Sequence, residues 1–384
     1  MTKQTIKKAT KKTTKKSVDK PTSKKVAKKA TPKTEKAKPP KKATPKPTVK
    51  SKIEVIVEPI IARPLLNSDR FMDFFGGGQF LKKNQKKFKG VTIDKHYKGK
   101  VLKNEHGECY HISAITKIDT ITPNHDRVKE KLLLDLKVIP GIAEITESNL
   151  KREGINSINQ LTKHYRYGND ATNYFNHVES MNAIKIYEQL SSRFTSSNPL
   201  LLANSALFNL SDIAFIDIET LGLSEVPLFL IGIATFKDNH LITDQVFVRE
   251  LKEEKAALHF LGELLQGKQA IGTFNGKSFD VPFLRKRMER HDLKHEINLP
   301  HFDLKYFSQK AFNNLVYDFK LSTLERKLFN VERVDDVSGF EIPYYYRTYI
   351  KTKNIGSVVP IIDHNKQDLI STAKLFMKLH DFWS

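Results

Sequence analysis

Between residues 213 and 250 the chain carries three strand-like runs, IAFIDIE, LFLIGIATF and DQVFVRE, rich in β-branched and aromatic side chains. The first two are apolar on both faces, as central strands are, and the third alternates. A periodic run from Glu253 to Leu265 predicts a helix, QAIGTF a short strand, and the segment holding FLRKRM a second helix. A last helix is predicted over about Val359 to Leu379, and Gly222 sits where the first strand must turn back. Strand hairpins followed by α/β crossovers imply an α/β domain, a mixed sheet flanked by helices, over residues 200–384.

Upstream the pattern is different. Residues 53–130 hold an apolar patch IEVIVEPIIA, a glycine run at Gly76 to Gly78, the basic FLKKNQKKFKG, and an alternating GKVLKNEHGECYHISAITKI. The last predicts a β-hairpin whose turn needs Gly107 for a positive φ, within an accessory region to which no chemistry attaches. Lysines 82 to 89 are either a phosphate-contacting patch or a solvated face. Residues 131–195 read as helical: an apolar segment runs into Ile139-Pro140-Gly141-Ile142, then a helix to Leu150, then Gly154-Ile155 opening another helix.

This stretch resembles a helix-hairpin-helix element. The resemblance implies sequence-independent DNA binding, with backbone amides around Gly141 and Ala143 approaching a phosphate and the following helix N-terminus adding its dipole. Ala143 stands where the second hairpin glycine is usual, which weakens that approach. Lys151, Arg152, Lys163 and Arg166 favour binding over a mere packing module.

Charge changes the picture at the N-terminus. Residues 1–52 hold 20 lysines against Asp19 and Glu35, so they carry +18 of the formal +22, and the remaining chain only +4. Such a segment buries too little apolar surface to offset its ordering entropy, and disorder is expected. Its natural partner is a polyanion, bound without sequence preference and with steep salt dependence. No apolar run reaches the ~18 residues of a membrane span, and no small-molecule cofactor motif is found. The lone Cys109 rules out an internal disulfide and fits a reducing compartment. Cytoplasm, or a nucleoid, is the expected location, with nuclear and organellar addresses left open.

The chemistry lies in carboxylates. Asp217 and Glu219 are two apart on a strand and share a face; Asp280 opens a helix; Asp368 follows His364 by one helical turn. Delivered to one interior point, these acids repel one another unless cations offset them, and hard oxygen donors suit Mg²⁺ or Mn²⁺. Two such ions ~3.5–4 Å apart are a recurring device for in-line phosphodiester cleavage. His364, an imidazole beside a metal carboxylate, has the chemistry to take the proton of a bound water.

The ordered set IAFIDIETLGL, FNGKSFDVPFLRKR, HFDL, LSTLERKLF, RVDDVSGFEIPYYY and IIDHNKQDLIST resembles the RNase H-like DEDD exonucleases, in particular the YprB-type domain, over about residues 200–380. The resemblance implies a metal-dependent nuclease, typically 3′ to 5′ on single strands, with Asp217, Glu219, Asp280 and Asp368 as metal ligands. The spacing of His364 from Asp368 is that of the group using tyrosine to orient water, while the side chain is the histidine of the other group.

Asn275, Lys277 and Arg285 are candidates for substrate contact, Asn275 alternatively bracing the loop before Asp280. Phe279 and Phe283 read as core, His301 and Asp303 as strand-end structure, and at least one of Tyr344, Tyr345 and Tyr346 as a surface for stacking a base. Function is thus expected to be exonucleolytic, on DNA somewhat more than RNA. A structure-specific endonuclease and a non-catalytic nucleic-acid-binding protein are the alternatives.

Overall fold

The computed structural model describes residues 77–294 and 297–383. The Lys-rich segment 1–52, the apolar patch at 53–62 and Gly76 lie outside the described residues. Helix α1 (Gly77–Lys87) and the single turn α2 (Ile93–His96) precede strands β1 (Gly99–Asn104) and β2 (Gly107–Lys117). A helical layer follows: α3 (His125–Leu134), α4 (Glu144–Arg152), α5 (Ile158–Leu161), α6 (Gly168–Glu179), α7 (Ala183–Arg193) and α8 (Pro199–Ser205). Then come β3 (Ile213–Thr220), β4 (Leu228–Lys237), β5 (His240–Phe247), α9 (Glu254–Leu264), β6 (Ala270–Thr273), α10 (Asp280–Arg290) and β7 (His301–Asp303). The chain finishes with α11 (Leu304–Ala311), α12 (Leu321–Phe329), α13 (Ile342–Thr352) and α14 (Val359–Trp383). No helix among the described residues is long and apolar enough to cross a membrane.

Seven strands form one mixed sheet in the order β1-β2-β5-β4-β3-β6-β7. Strands β1 to β5 are antiparallel to their neighbours, and β3, β6 and β7 run parallel. The hairpin expected in a separate accessory region is therefore part of this sheet: β2 pairs with β5 from Tyr110 opposite Phe247 to Lys117 opposite His240. In the β3-β4-β5 meander, β5 would otherwise present an open row of N–H and C=O groups, and β2 covers it. Cys109, Tyr110 and Ile112 are buried by that docking.

Each sheet face has its own core. Ile213 and Phe215 of β3 pack with Leu369, Ala373 and Phe376 of α14 and with Leu132, Ile142, Tyr174 and Ile186 of the helical layer. Ala214, Ile216 and Ile218, one residue out of phase, pack with Leu258 of α9, Leu284 of α10 and Tyr345 of α13. The helical region 131–195 accordingly shares a core with the sheet, where a separate unit was expected.

In the segment read as helix-hairpin-helix-like, a 3₁₀ turn over Leu136–Val138 and the loop that follows join α3 to α4. Gly141 takes φ +81° and Ile139 and Ile142 are buried beneath it. Gly154 and Ile155, expected to open the next helix, instead close α4. Gly154 has φ +89°, its N–H reaches the Lys151 carbonyl at 3.1 Å, and the Ile155 N–H reaches that of Leu150 at 2.9 Å. This pattern satisfies the last carbonyls of a helix. The following helix begins only at Ile158, capped by Ser157.

Candidate active site

Strand alternation turns Asp217 and Glu219 to the side of the sheet that carries Ile213, Phe215 and α14. β6 pairs with β3 only from Ile213 to Phe215. Past that point the Ile218 N–H has lost its strand partner, and Asp280 Oδ1 accepts it at 3.1 Å. That bond fixes the first residue of α10 beside the acidic strand. From α14, Asn365 Nδ2 donates to Asp217 Oδ2 at 2.7 Å and to the Asp217 carbonyl at 3.1 Å. Gln245 of β5 in turn donates to Asn365 Oδ1 and to the Ile362 carbonyl, both at 2.8 Å. One turn apart on α14, His364 Nε2 stands 3.6 Å from Asp368 Oδ2.

Burial dominates the electrostatics of this group. It pushes Asp217 well above the usual carboxylate range, and the charges of Asp368, Glu219 and Asp280 add to the effect. Glu219 is pushed up to about 8 by burial, relieved in part by His364 and opposed again by Asp368 and Asp280. Asp280 rises to about 7 through burial, with the Ile218 N–H working the other way. For Asp368, too, burial raises the carboxyl, while His364 and Arg333 hold it down.

His364 is not the free base of ordinary pKa that its spacing suggested. Burial disfavours its charged form, but the bond to Asp336 and the charges of Asp368 and Glu219 outweigh this and raise it to about 9. Its Nδ1 lies 2.7 Å from Asp336 Oδ1. Arg333 closes the arrangement. Its guanidinium forks onto the buried Glu325, with Nε to Oε2 and Nη2 to Oε1 both at 2.7 Å. It also bonds Asp368 and stands 3.4 Å from Asp336.

The donor set is the test of a metal. Asp217, Glu219 and Asp280 present oxygen ligands only, and the partners described above for Asp217 and Asp280 are neutral N–H groups. Their raised pKa values mark a charge deficit that a hard divalent cation would offset, so the residues fit Mg²⁺ or Mn²⁺. Asp368 is bonded by Arg333 as well, so an ion held there would share this carboxylate with the guanidinium.

A family model described as the RNase H superfamily matches residues 214–380, the span that carries all five of these site residues. This stretch is an RNase H-like domain. Over 178 residues the chain is also 26% identical to the uncharacterized protein YprB of Bacillus subtilis (strain 168), a match covering 45% of this chain and 43% of that relative. The chain thus spans less than half the length of the curated relative it matches, and the YprB-type RNase H-like family fits. The superfamily supports a nuclease-type function.

Within the RNase H-like domain the expected substrate contacts lie elsewhere than the quartet's immediate partners. Asn275 has φ +70°, its N–H bonds Asp303 at 2.8 Å and its Oδ1 accepts from Lys305 at 3.2 Å, so it braces the loop before Asp280. Lys277 is turned to Ser196 Oγ at 3.2 Å, and burial lowers its pKa. Arg285 ties down the Ile297 carbonyl at 2.5 Å. Tyr345 and Tyr346 are fully buried, Tyr346 stacked on Phe229 at 3.9 Å, so the expected stacking surface reduces to the half-buried Tyr344. Asp303 caps α11 and His301 bonds Thr273 at 2.8 Å, both in structural roles. Gly141 and Ala143 are exposed in the helical layer, where the first turn of α4 carries Glu144 and Glu147 and so opposes an anion.

Along α10, a cleft of about 480 Å³ is lined by Leu223, Glu225, Phe283, Lys286, Glu289 and Arg290, among others, and by none of the four carboxylates. Asn365, Gln245, Gly232, Arg333 and Asp336 are the site residues that sequence reasoning missed. Gly232, placed mid-strand in LFLIGIATF, carried the one readable signal, because a glycine inside a buried strand marks a close approach.

Proposed function

We propose that the RNase H-like domain is a metal-dependent nuclease, a 3′–5′ exonuclease on single-stranded nucleic acid that takes DNA in preference to RNA. The observation that carries this reading is the buried carboxylate set, held in place by Asn365 and the Ile218 N–H and short of positive charge. Asp217, Glu219, Asp280 and Asp368 would hold two divalent ions, which when bound supply Lewis acidity to the phosphoryl group and a nucleophilic water at neutral pH. Asn365 and Gln245 keep the Asp217 carboxylate aimed. His364, which Asp336, Asp368 and Glu219 hold in its charged form, would accept a proton at Nε2 only once bound ions offset Asp368 and Glu219. Lys286 and Arg290, on the wall of the cleft along α10, are the basic groups of the domain proposed to meet phosphate, with Glu225 and Glu289 on the same wall. Basic residues outside the domain, above all the lysines of 1–52, supply sequence-blind affinity.

End-labelled linear and circular single strands and duplexes of DNA and RNA, incubated with Mg²⁺, Mn²⁺ or EDTA, test this directly. Cleavage of a circular single strand would replace the exonuclease by an endonuclease of the same site. Asp217→Ala or Asp280→Ala is expected to abolish cleavage with binding retained. Residual activity above about a tenth, against the several kcal/mol a Lewis acid supplies, rejects the ligand assignment. His364→Ala should cost ~10²–10⁴-fold in turnover at unchanged metal affinity.

A further inference from the structure

On the opposite side of the sheet order from β6 and β7, the β1-β2 turn is fixed over α9. Asn104 Nδ2 donates to the Ala256 carbonyl at 3.0 Å, and Asn104 Oδ1 accepts the His106 N–H at 3.0 Å. Gly107 makes the turn with φ +128°, its Cα side in contact range of Ala256. This brings Glu105 and His106 to His259, about 150 residues later in the chain. One ligand atom from each of the three lies within 4.8 Å of the others. The two imidazole rings meet edge to face with centroids 5.0 Å apart. Glu105 Oε1 is 3.3 Å from His106 Nε2, and Glu263, one turn along α9, places Oε1 3.5 Å from His259 Nε2.

We infer that Glu105, His106 and His259, with Glu263 as fourth donor, form a binding site for a borderline divalent transition ion, Zn²⁺ foremost, that staples the β1-β2 hairpin to α9. Two imidazoles and two carboxylates are the donors such ions take, whereas Mg²⁺ and Ca²⁺ prefer oxygen alone. The side chains also suit closure. Both histidines are about one-fifth exposed, so water and ions reach them, and the carboxylates stand outside them with room to turn inward. Tetrahedral bonds of ~2.0–2.2 Å need the donors drawn together from their present spacing, a change that χ rotations supply without moving the pinned backbone. The site is chemically distinct from the carboxylate quartet, and it ties down β1, which among the described residues is an edge strand of the sheet.

Full-length protein titrated with Co²⁺ in excess Mg²⁺, which satisfies oxygen-only sites, tests the assignment by visible absorption and equilibrium dialysis. One Co²⁺ per chain with tetrahedral d–d bands, displaced by Zn²⁺, is expected. His106→Ala and His259→Ala should each weaken it by at least the roughly 10–100-fold that loss of even an outer-shell partner costs. Zn²⁺ should raise the thermal midpoint of the wild type and not of either variant, whose circular dichroism reports that they fold. Co²⁺ affinity and stoichiometry unchanged in His259→Ala, or no d–d bands in the wild type, would overturn the proposal.

Discussion

Opposite Asp217 on β4 the chain has Gly232, and a Cβ built there would stand 2.3 Å from Asn365 Oδ1 and 2.8 Å from Leu369 Cδ1. The absent methyl is what lets α14 approach the sheet closely enough for Asn365 to hold Asp217. Gly232→Ala should therefore displace Asn365 and lower turnover by on the order of 10²-fold, the scale of a misplacement of about 1 Å. Overpacking should cost only about 1–3 kcal/mol. Cleavage assays beside a denaturation curve separate the two effects; full turnover in the variant would mean that Asn365 does not position the carboxylate. The proposed ligand residues were nameable from sequence because strand and helix periodicity dictates their faces. Arg333 and Asp336 were not, because the 330–341 segment that delivers them has no periodicity to read, and their partners His364 and Asp368 lie about 30 residues on.

At the scale of elements, α10 is set against the sheet by a polar cluster. Glu254, the first residue of α9, accepts the Leu228 N–H at 2.9 Å and Arg287 Nε at 2.7 Å on Oε1, and meets His291 at 2.9 Å through Oε2. Glu254 and Arg287 are both buried. A buried pair contributes little net stability over an apolar one, but losing one partner strands the other charge. Arg287→Ala should cost about 3–5 kcal/mol in chemical denaturation, and because α10 carries Asp280 the loss should reach activity as well. A cost below about 1 kcal/mol would show that solvent screens the pair as it does at a surface. Between β3 and α14 hydrophobic periodicity located some elements closely and missed others: the helix expected at Glu253 to Leu265 runs Glu254–Leu264, the strand expected as DQVFVRE runs His240–Phe247, the last helix continues past Leu379 to Trp383, and α11, α12 and α13 had no expected counterpart. What periodicity could not give was the partner of β2. The alternation of GECYHISAITK fixes a half-buried strand, yet the open edge it covers belongs to β5, some 130 residues away. The same blindness to long-range pairing hid the common core of the helical layer and the sheet.

For the whole molecule, two half-buried histidines work against stability in acid. Burial lowers His301 to about 3 and His380 to about 4, His380 lying 2.8 Å from Ser205 Oγ. Both are neutral in the folded protein and titrate near ~6.5 when unfolded. Their contribution is complete above that pH; below it the unfolded chain binds protons the native state refuses, and stability falls until the folded pKa values are reached. Each accounts for on the order of a few kcal/mol across this window. Between pH 7 and 4 the raised carboxyls of the site work the other way, because the folded chain takes up their protons first, so the test is differential: the thermal midpoint of His380→Gln should lose less than that of the wild type on going from pH 7 to 4, and parallel slopes would mean that His380 is protonated in the native state. The charge of the chain is distributed as unevenly as its buried groups. A variant beginning at Glu54 loses +18 of the +22 net charge and none of the proposed site residues. Counterion release makes the logarithm of affinity fall with the logarithm of salt by about 0.9 per phosphate neutralised on duplex DNA. The variant should therefore bind long polyanions more weakly and with a flatter salt slope, while turnover at saturating short substrate persists. Identical slopes for the two proteins would mean that these lysines do not meet phosphate, and affinity would then have to come from residues 54–384, whose net charge of +4 leaves little to supply it.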